Sequence, residues 1–277
     1  MTTITEHGVR LPGWSRDAVL LQGPAGWGEW SPLPGYPSDP AVCRRAAEEA
    51  ATAEWPTPVR THVRVNALVP AVPPQRAAEL AAGQRDVKVK VGDPGDLDRV
   101  AAVRGAIGPG ARLRIDANGA WDVDTAVERI AQMTAYDLEL VEQPVASIAD
   151  LATVRRKVDV PVAADECVRD LDDARRVDAD ALVVKVQPLG GFTATLRIIE
   201  AAGIPVIVSS MFETSVGIAV GLALAAALEE LPYACGLGAF GADVVGDPLV
   251  PVDGALAVRR PAPDPTLLAR YAVDVDG

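Results

Sequence analysis

Histidine is nearly absent. In 277 residues there are two, His7 and His62. That pair all but excludes His-based triads, HExxH zinc sites and His-rich metal centres. Acid–base chemistry would therefore fall to lysine or carboxylates. Cysteine is also scarce: Cys43, Cys167 and Cys235 stand far apart with no CxxC. Neither a disulfide framework nor a zinc site is indicated, and a reduced cytoplasm is the expected home. No apolar run reaches the roughly 20 residues of a membrane span; the longest, Gly217 to Leu228, has twelve and reads as a buried helix. The start, Met1-Thr2-Thr3-Ile4, lacks the basic-then-apolar order of a secretory signal. No GxGxxG or GxxxxGK[ST] occurs, and Gly92-Asp93-Pro94-Gly95 is neither. Positive charge is in deficit, 26 bases against 38 acids, a net −12. Nucleic acid and anionic membrane are therefore not expected partners, and an anionic substrate would need a local source of positive charge.

What is present is a regular alternation. Hydrophobic residues make up 49% and charged residues 23%, ordinary values for a soluble globular chain. Short β-rich runs begin near Val87, Leu113, Leu138, Val160, Ala181 and Ile204, after an alternating run Val63 to Ala67. Tyr233-Ala234-Cys235-Gly236 is a fainter eighth run. Helix-period segments separate them; in Asp124 to Asp137, Ala126, Ile130 and Met133 share one face. Gly203 and then Pro205 end the helix before the seventh run. Such alternation implies right-handed βαβ units and a parallel sheet. Polar residues close the runs at positions 90, 116, 142, 165, 185 and about 209, intervals of 26, 26, 23, 20 and 24. This even beat points to a closed α/β barrel of TIM type over residues 61–248 rather than an open doubly wound sheet. Residues 1–60 carry Trp14, Trp27, Trp30 and Trp55, short strands around Val19 to Gln22 and Gly26 to Trp30, and an Ala/Glu/Arg helix from Ala41 to Ala53. They read as a small α+β domain, with the Pro-rich, strand-like segment 249–277 packing back on it.

Chemistry in such a barrel sits where the strand C-termini converge. The second run ends in Lys88-Val89-Lys90, the third in Asp116-Ala117-Asn118 and the fourth in Glu142-Gln143-Pro144. The fifth ends in Asp165-Glu166, the sixth in Lys185 and the seventh in Ser209-Ser210-Met211-Phe212-Glu213. Alternation puts Lys88 and Lys90 on one side of their strand. Asp116, Glu142 and Asp165, from adjacent strands, form an all-oxygen set suited to Mg²⁺ or Mn²⁺ rather than zinc. Lys185 falls across the mouth from Lys90. A lysine near such a metal can have its pKa lowered and act as a neutral base. Singly, a strand-end Asp is a turn or helix cap, and Lys88 and Lys90 are the polar face of an edge strand. Lys185 between Val184 and Val186 is harder to place, because a buried charge needs a partner. Five ionisable residues at five consecutive strand ends are poorly explained by stability.

The series KVK, DANGAW, EQP, ADE and VVKVQP resembles the enolase superfamily, in particular its muconate-lactonizing subgroup. Gly26-Trp27-Gly28-Glu29-Trp30-Ser31-Pro32-Leu33, Val65-Asn66-Ala67 and Ser209-Ser210-Met211-Phe212-Glu213-Thr214 with Gly217 are similar to the o-succinylbenzoate synthases of that subgroup. The resemblance spans the whole chain. It implies an α/β fold, a TIM-like (β/α)7β barrel under a small α+β capping domain. It also implies a Mg²⁺-dependent lyase acting on a small dicarboxylate, with Asp116, Glu142 and Asp165 on the metal and Lys90 removing a proton alpha to a carboxylate. Lys185 would face the resulting negative charge as a cation. Lys88, Asn118 and Glu166 would support the set. Ser209, Ser210 and Met211 would hold the far carboxylate, with backbone N–H groups of Gly236 and Gly238 nearby. On the same site, N-succinylamino acid racemisation, dipeptide epimerisation and cycloisomerisation remain open, because racemisation also uses two opposed lysines. The apolar Gly236-Leu237-Gly238-Ala239-Phe240 favours an aromatic-sized substrate. A Schiff-base aldolase using Lys185 would leave the three acids unexplained. A non-catalytic barrel would be expected to lack one of the five residues. Oligomeric state is not legible in the sequence.

Overall fold

A computed structural model describes residues 3–238 and 241–275. Met1, Thr2, Ala239 and Phe240, all used above, lie outside the described residues. The chain opens with an antiparallel sheet, β1 (Thr5–Val9), β2 (Ala18–Gly23) and β3 (Gly26–Trp30), paired in that order. Helix α1 (Pro40–Thr52) packs across it. Asp39 caps that helix by accepting from the Ala41 N–H, and Pro40 starts it with a preset φ.

The elements that follow alternate. They are β4 (His62–Arg64), β5 (Ala67–Val69), α2 (Pro74–Ala81), β6 (Asp86–Lys90), α3 (Asp96–Ile107), β7 (Arg112–Asp116) and α4 (Val123–Met133). Next come β8 (Leu138–Glu142), α5 (Ile148–Arg155), β9 (Val162–Ala164), α6 (Leu171–Arg176) and β10 (Ala181–Val184). Then come α7 (Phe192–Ala202), β11 (Val206–Val208) and α8 (Ser215–Ala227). Strands β5 to β11 form one parallel sheet in sequence order. Residues 235–236 close it. Gly236 N–H donates to Val208 C=O, Cys235 N–H to Arg64 C=O and Asn66 N–H to Cys235 C=O. The faint eighth run is therefore the closing position. The first strand is interrupted at Val65–Asn66, where it pairs with Cys235.

The main core lies between the sheet and its helices, and α8 is buried along most of its length, as its apolar run requires. A smaller cluster, Leu140, Ala163, Ala181, Val183 and Ile207, fills the barrel interior. The terminal region is not strand alone: β12 (Ala255–Ala257) pairs with β4, and α9 (Pro265–Tyr271) follows. Backbone bonds join Arg10 to Tyr271 and Val273 to Gly8, tying this region to β1. No helix among the described residues is long and apolar enough to cross a membrane.

Candidate active site

Parallel register sets the site. Lys88 pairs with Arg114, Lys90 with Asp116, and Asp116 with Glu142. Because alternate residues share a face, Lys88, Lys90, Asp116 and Glu142 enter the barrel mouth together. Asp165 follows β9 and Lys185 follows β10. Each strand end is held by its own loop. Buried Arg99 on α3 donates to the carbonyl of Lys90 at 2.7 Å. Asp116 Oδ1 accepts the N–H of Asn118 at 3.0 Å, and Asn118 turns with φ 46°. Gln143, at φ 39°, accepts the N–H of Asp165 on Oε1 at 2.7 Å. Asn is tolerated in the left-handed region better than most residues; Gln143 is held there by burial and three side-chain bonds.

The charges interlock. Lys88 Nζ lies 2.6 Å from Glu142 Oε1 and 3.0 Å from Asp116 Oδ2. Lys90 Nζ donates to the same Asp116 Oδ2 and to Asn118 Oδ1, both at 2.6 Å. Two ammonium groups therefore share one carboxylate oxygen. Asn118 Nδ2 donates to Glu166 Oε1 at 2.7 Å, linking Lys90 to Glu166. Lys185 Nζ binds Asp165 and also donates to the Tyr36 hydroxyl at 3.2 Å. Burial opposes the charge on Lys88 and Lys185, but the surrounding carboxylates outweigh it and hold both above the ordinary lysine value. Burial pushes Asp116 up, and the ammonium groups of Lys88 and Lys90 override it, holding Asp116 well below the carboxylate range. Glu142 is the reverse: burial and the charge of Asp116 push it to about 8.

All these groups except Glu142 line one cavity. The expected substrate contacts Ser209, Ser210, Met211, Gly236 and Gly238 line it too. One expectation is corrected: the N–H of Gly236 is consumed by Val208 C=O in the closing ladder, so it cannot serve a substrate. Gly236 is small because Ser209 approaches it; a Cβ there would sit 2.5 Å from Ser209 Oγ. The cavity adds Asn66, Leu68, Leu33 and Tyr36, which were not assigned to the site from the sequence. Tyr36 comes from the loop before α1, donates to Asp165 Oδ1 at 3.0 Å and lays its ring under Lys185, 4.7 Å from the ammonium. Its only sequence signal is an aromatic inside the turn Pro34-Gly35-Tyr36-Pro37, where no core needs it.

The expected metal set, Asp116, Glu142 and Asp165, is engaged by lysine in ion pairs. Among the described residues, no three acidic, His or Cys side chains are gathered so as to close on a cation as they stand. The reason is visible: Lys88 lies between Asp116 and Glu142, and Lys185 occupies Asp165. The surroundings nevertheless fit a hard cation. The donors are carboxylate oxygens from adjacent strands, Glu142 is raised by burial and by the charge of Asp116 beside it, and Glu166 Oε2 is buried with no hydrogen-bond partner.

Comparison with known proteins agrees with this fold. The Enolase C-terminal domain-like family model matches residues 74–263, and the Enolase N-terminal domain-like model matches residues 13–51. The chain is 52% identical over 276 residues to the o-succinylbenzoate synthase of Thermobifida fusca (strain YX), covering 94% of this chain and 86% of that one. It is 47% identical over 273 residues to the o-succinylbenzoate synthase of Mycolicibacterium smegmatis, covering 93% and 84%. Among solved structures it superposes on muconate cycloisomerase from Pseudomonas fluorescens with a TM-score of 0.83 at 22% identity, covering 98% of both chains. It superposes on the dipeptide epimerase from Enterococcus faecalis V583 at 0.78 and 22%, covering 95% of this chain and 97% of that one. At that identity the two structures speak for the fold alone.

Proposed function

This chain belongs to the enolase superfamily and to its o-succinylbenzoate synthase branch, and we propose that it dehydrates 2-succinyl-6-hydroxy-2,4-cyclohexadiene-1-carboxylate to o-succinylbenzoate on the route to menaquinone. The observation that carries the proposal is that Lys90 and Lys185, four strands apart around the ring, face one cavity beside three buried carboxylates. Asp116, Glu142 and Asp165 would hold Mg²⁺ or Mn²⁺, which when bound supplies Lewis acidity at the substrate carboxylate. Lys90 takes the proton alpha to that carboxylate, and the C–H electron pair moves toward the carboxylate. The same pair then forms the ring double bond as the neighbouring C–O bond breaks. Lys90 returns its proton to the departing hydroxide, so water leaves and the ring becomes aromatic. Lys185, cationic between Asp165 and Tyr36, stabilises the negative charge that develops in between. Asn118, bonded to Lys90 and Glu166, keeps the lysine aimed. Three unpaired buried cysteines accord with a cytoplasmic reaction.

Aromatisation of the cyclohexadiene, followed by absorbance, tests the reading. Lys90→Ala and Lys185→Ala should each abolish turnover with the fold retained, and chelation by EDTA should do the same. Near-normal turnover in either variant would sink the assignment. Because two opposed lysines are also what a racemase needs, deuterium exchange at the alpha carbon of N-succinylamino acids is the companion assay for a second activity on this site.

A further inference from the structure

One wall of the cavity, Ser209 to Thr214, is not self-supporting. Phe212 sits at φ 58°, a left-handed conformation that a bulky residue adopts only when its surroundings impose it. Behind the wall lies a small void between Ser209, Ser210 and Glu213 on one side and Ala46 and Ala47 of α1 on the other.

The restraints come from the N-terminal domain. Arg16 donates from one nitrogen to the carbonyls of Met211 at 2.5 Å and Phe212 at 3.1 Å, on either side of the left-handed turn. Glu29 on β3 is buried at 3% exposure. Its Oε2 accepts the Thr214 N–H at 3.1 Å, the Thr214 hydroxyl at 2.5 Å and the Gly217 N–H at 3.1 Å. Its Oε1 accepts the Ser31 hydroxyl at 2.7 Å. The acidic group thus sits on the first turn of α8, where N–H groups lack helical partners. Glu213 completes the set from inside the wall: it takes the N–H of Met211 at 2.5 Å and the amide of Gln187 at 3.3 Å. Gln187 in turn accepts the N–H of Ser31 at 2.8 Å. Residue 217 is a glycine because a Cβ there would lie 2.5 Å from the Glu213 Cβ and 3.0 Å from Glu29 Oε2.

We infer that Arg16 and Glu29 are positioning residues: from the N-terminal domain they latch the Ser209–Thr214 wall in the conformation the substrate meets, so that docking of that domain and substrate binding are coupled. They touch no reacting atom. The substrate half of this claim rests on the proposed function; the latch itself does not.

Two measurements test it. In Arg16→Ala, KM for the cyclohexadiene should rise about ten-fold, the value of one hydrogen bond from a charged donor, while kcat changes less than about three-fold. Arg16→Lys should recover part of the loss. Glu29→Ala should raise KM similarly, whereas Glu29→Gln, which keeps an acceptor for Thr214, should stay near wild type. Should Glu29→Ala fail to fold, Arg16→Ala and Glu29→Gln still decide the matter. By hydrogen exchange without any ligand, the amides of residues 211–217 should open faster in Arg16→Ala, with β6 to β8 unaffected. Unaltered exchange there overturns the latch, and so does a fall in kcat at constant KM. A wild-type chain inert toward the cyclohexadiene overturns the proposed reaction instead, and the exchange result then stands by itself.

Discussion

Glu29 makes a stability prediction whose sign is unusual for a carboxylate. Burial, and after it the charge of Glu213, raise its pKa from 4.5 to about 7, although Thr214 and Ser31 bond to it and pull the other way. The charged groups around it are Glu213, itself raised by burial, Arg16 from the same domain and Asp243 behind Ser215. The folded state therefore binds a proton at this site more tightly than the unfolded chain, which titrates at the ordinary value of 4.5. The contribution is complete below that value and is lost as pH rises through about 7. At 1.36 kcal/mol per unit, the span allows at most about 3 kcal/mol of stability to vanish between about pH 5 and 8. Glu29→Gln mimics the protonated form and removes the dependence. Urea unfolding of wild type and Glu29→Gln from pH 5 to 9 should give curves that lie together near pH 5, draw apart up to about pH 7 and keep a constant offset above it, with the amide variant the more stable. Parallel curves would refute the argument. Glu213→Gln takes away the neighbouring charge but not the burial, so it should bring Glu29 only part of the way back.

Four further outcomes can be checked. Gly28→Ala places a Cβ 2.8 Å from the Ala47 carbonyl carbon, between β3 and α1, where backbone cannot swing aside; a thermal melt should show a loss of about 3 kcal/mol. Tyr36→Phe keeps the ring under Lys185 but deletes the donor to Asp165, and calorimetric titration with Mn²⁺ should show affinity about ten-fold weaker. Asp165→Asn should weaken Mn²⁺ binding more strongly than Tyr36→Phe, because it removes a charged oxygen rather than that oxygen's partner. Arg114→Met strips a fully buried guanidinium from Glu139 and from the Ala234 carbonyl inside the barrel. Denaturation should report a loss of about 3–5 kcal/mol, the size expected for a broken buried pair.

The parts of the fold that were legible are those fixed by period and punctuation. Apolar runs of alternating type, separated by helical periods, place β6 to β11 because parallel strands buried on both faces must be apolar. The seventh unit's helix was plain because Gly217 to Leu228 contains no charge at all. What was illegible depended on pairing rather than pattern. Strand β1 is His-, Gly- and Thr-containing with two exposed residues, so it carries no clean alternation. It is a strand because β2 pairs with it. Helix α9 is seven residues with none buried, held by its Asp264 cap and by neighbours, a signal too short to rise above a Pro-rich background.

The site shows the same division more sharply. The whole chain has four lysines among its 26 bases, and three of them, Lys88, Lys90 and Lys185, reach the cavity. Arginine serves elsewhere: Arg99, Arg104 and Arg114 each bond backbone carbonyls or carboxylates through several nitrogens, a structural use suited to a planar fork. Lysine, by contrast, can lose a proton near neutrality when its surroundings allow, which arginine cannot. A chain that spends almost no lysine on its surface and concentrates it at two strand ends therefore marks those ends for proton transfer, from composition before geometry. The carboxylates carry no such mark, since 38 acids are spread throughout, and only their position at strand ends singled out Asp116, Glu142 and Asp165. Tyr36, Arg16 and Glu29 lay beyond either signal. They act across the seam between the two parts of the chain, reaching partners 129 to 196 residues away, and no local spacing encodes a contact of that range. For that reason the chemistry of this barrel was readable in its own strands, whereas the residues that shape its substrate wall were readable only in three dimensions.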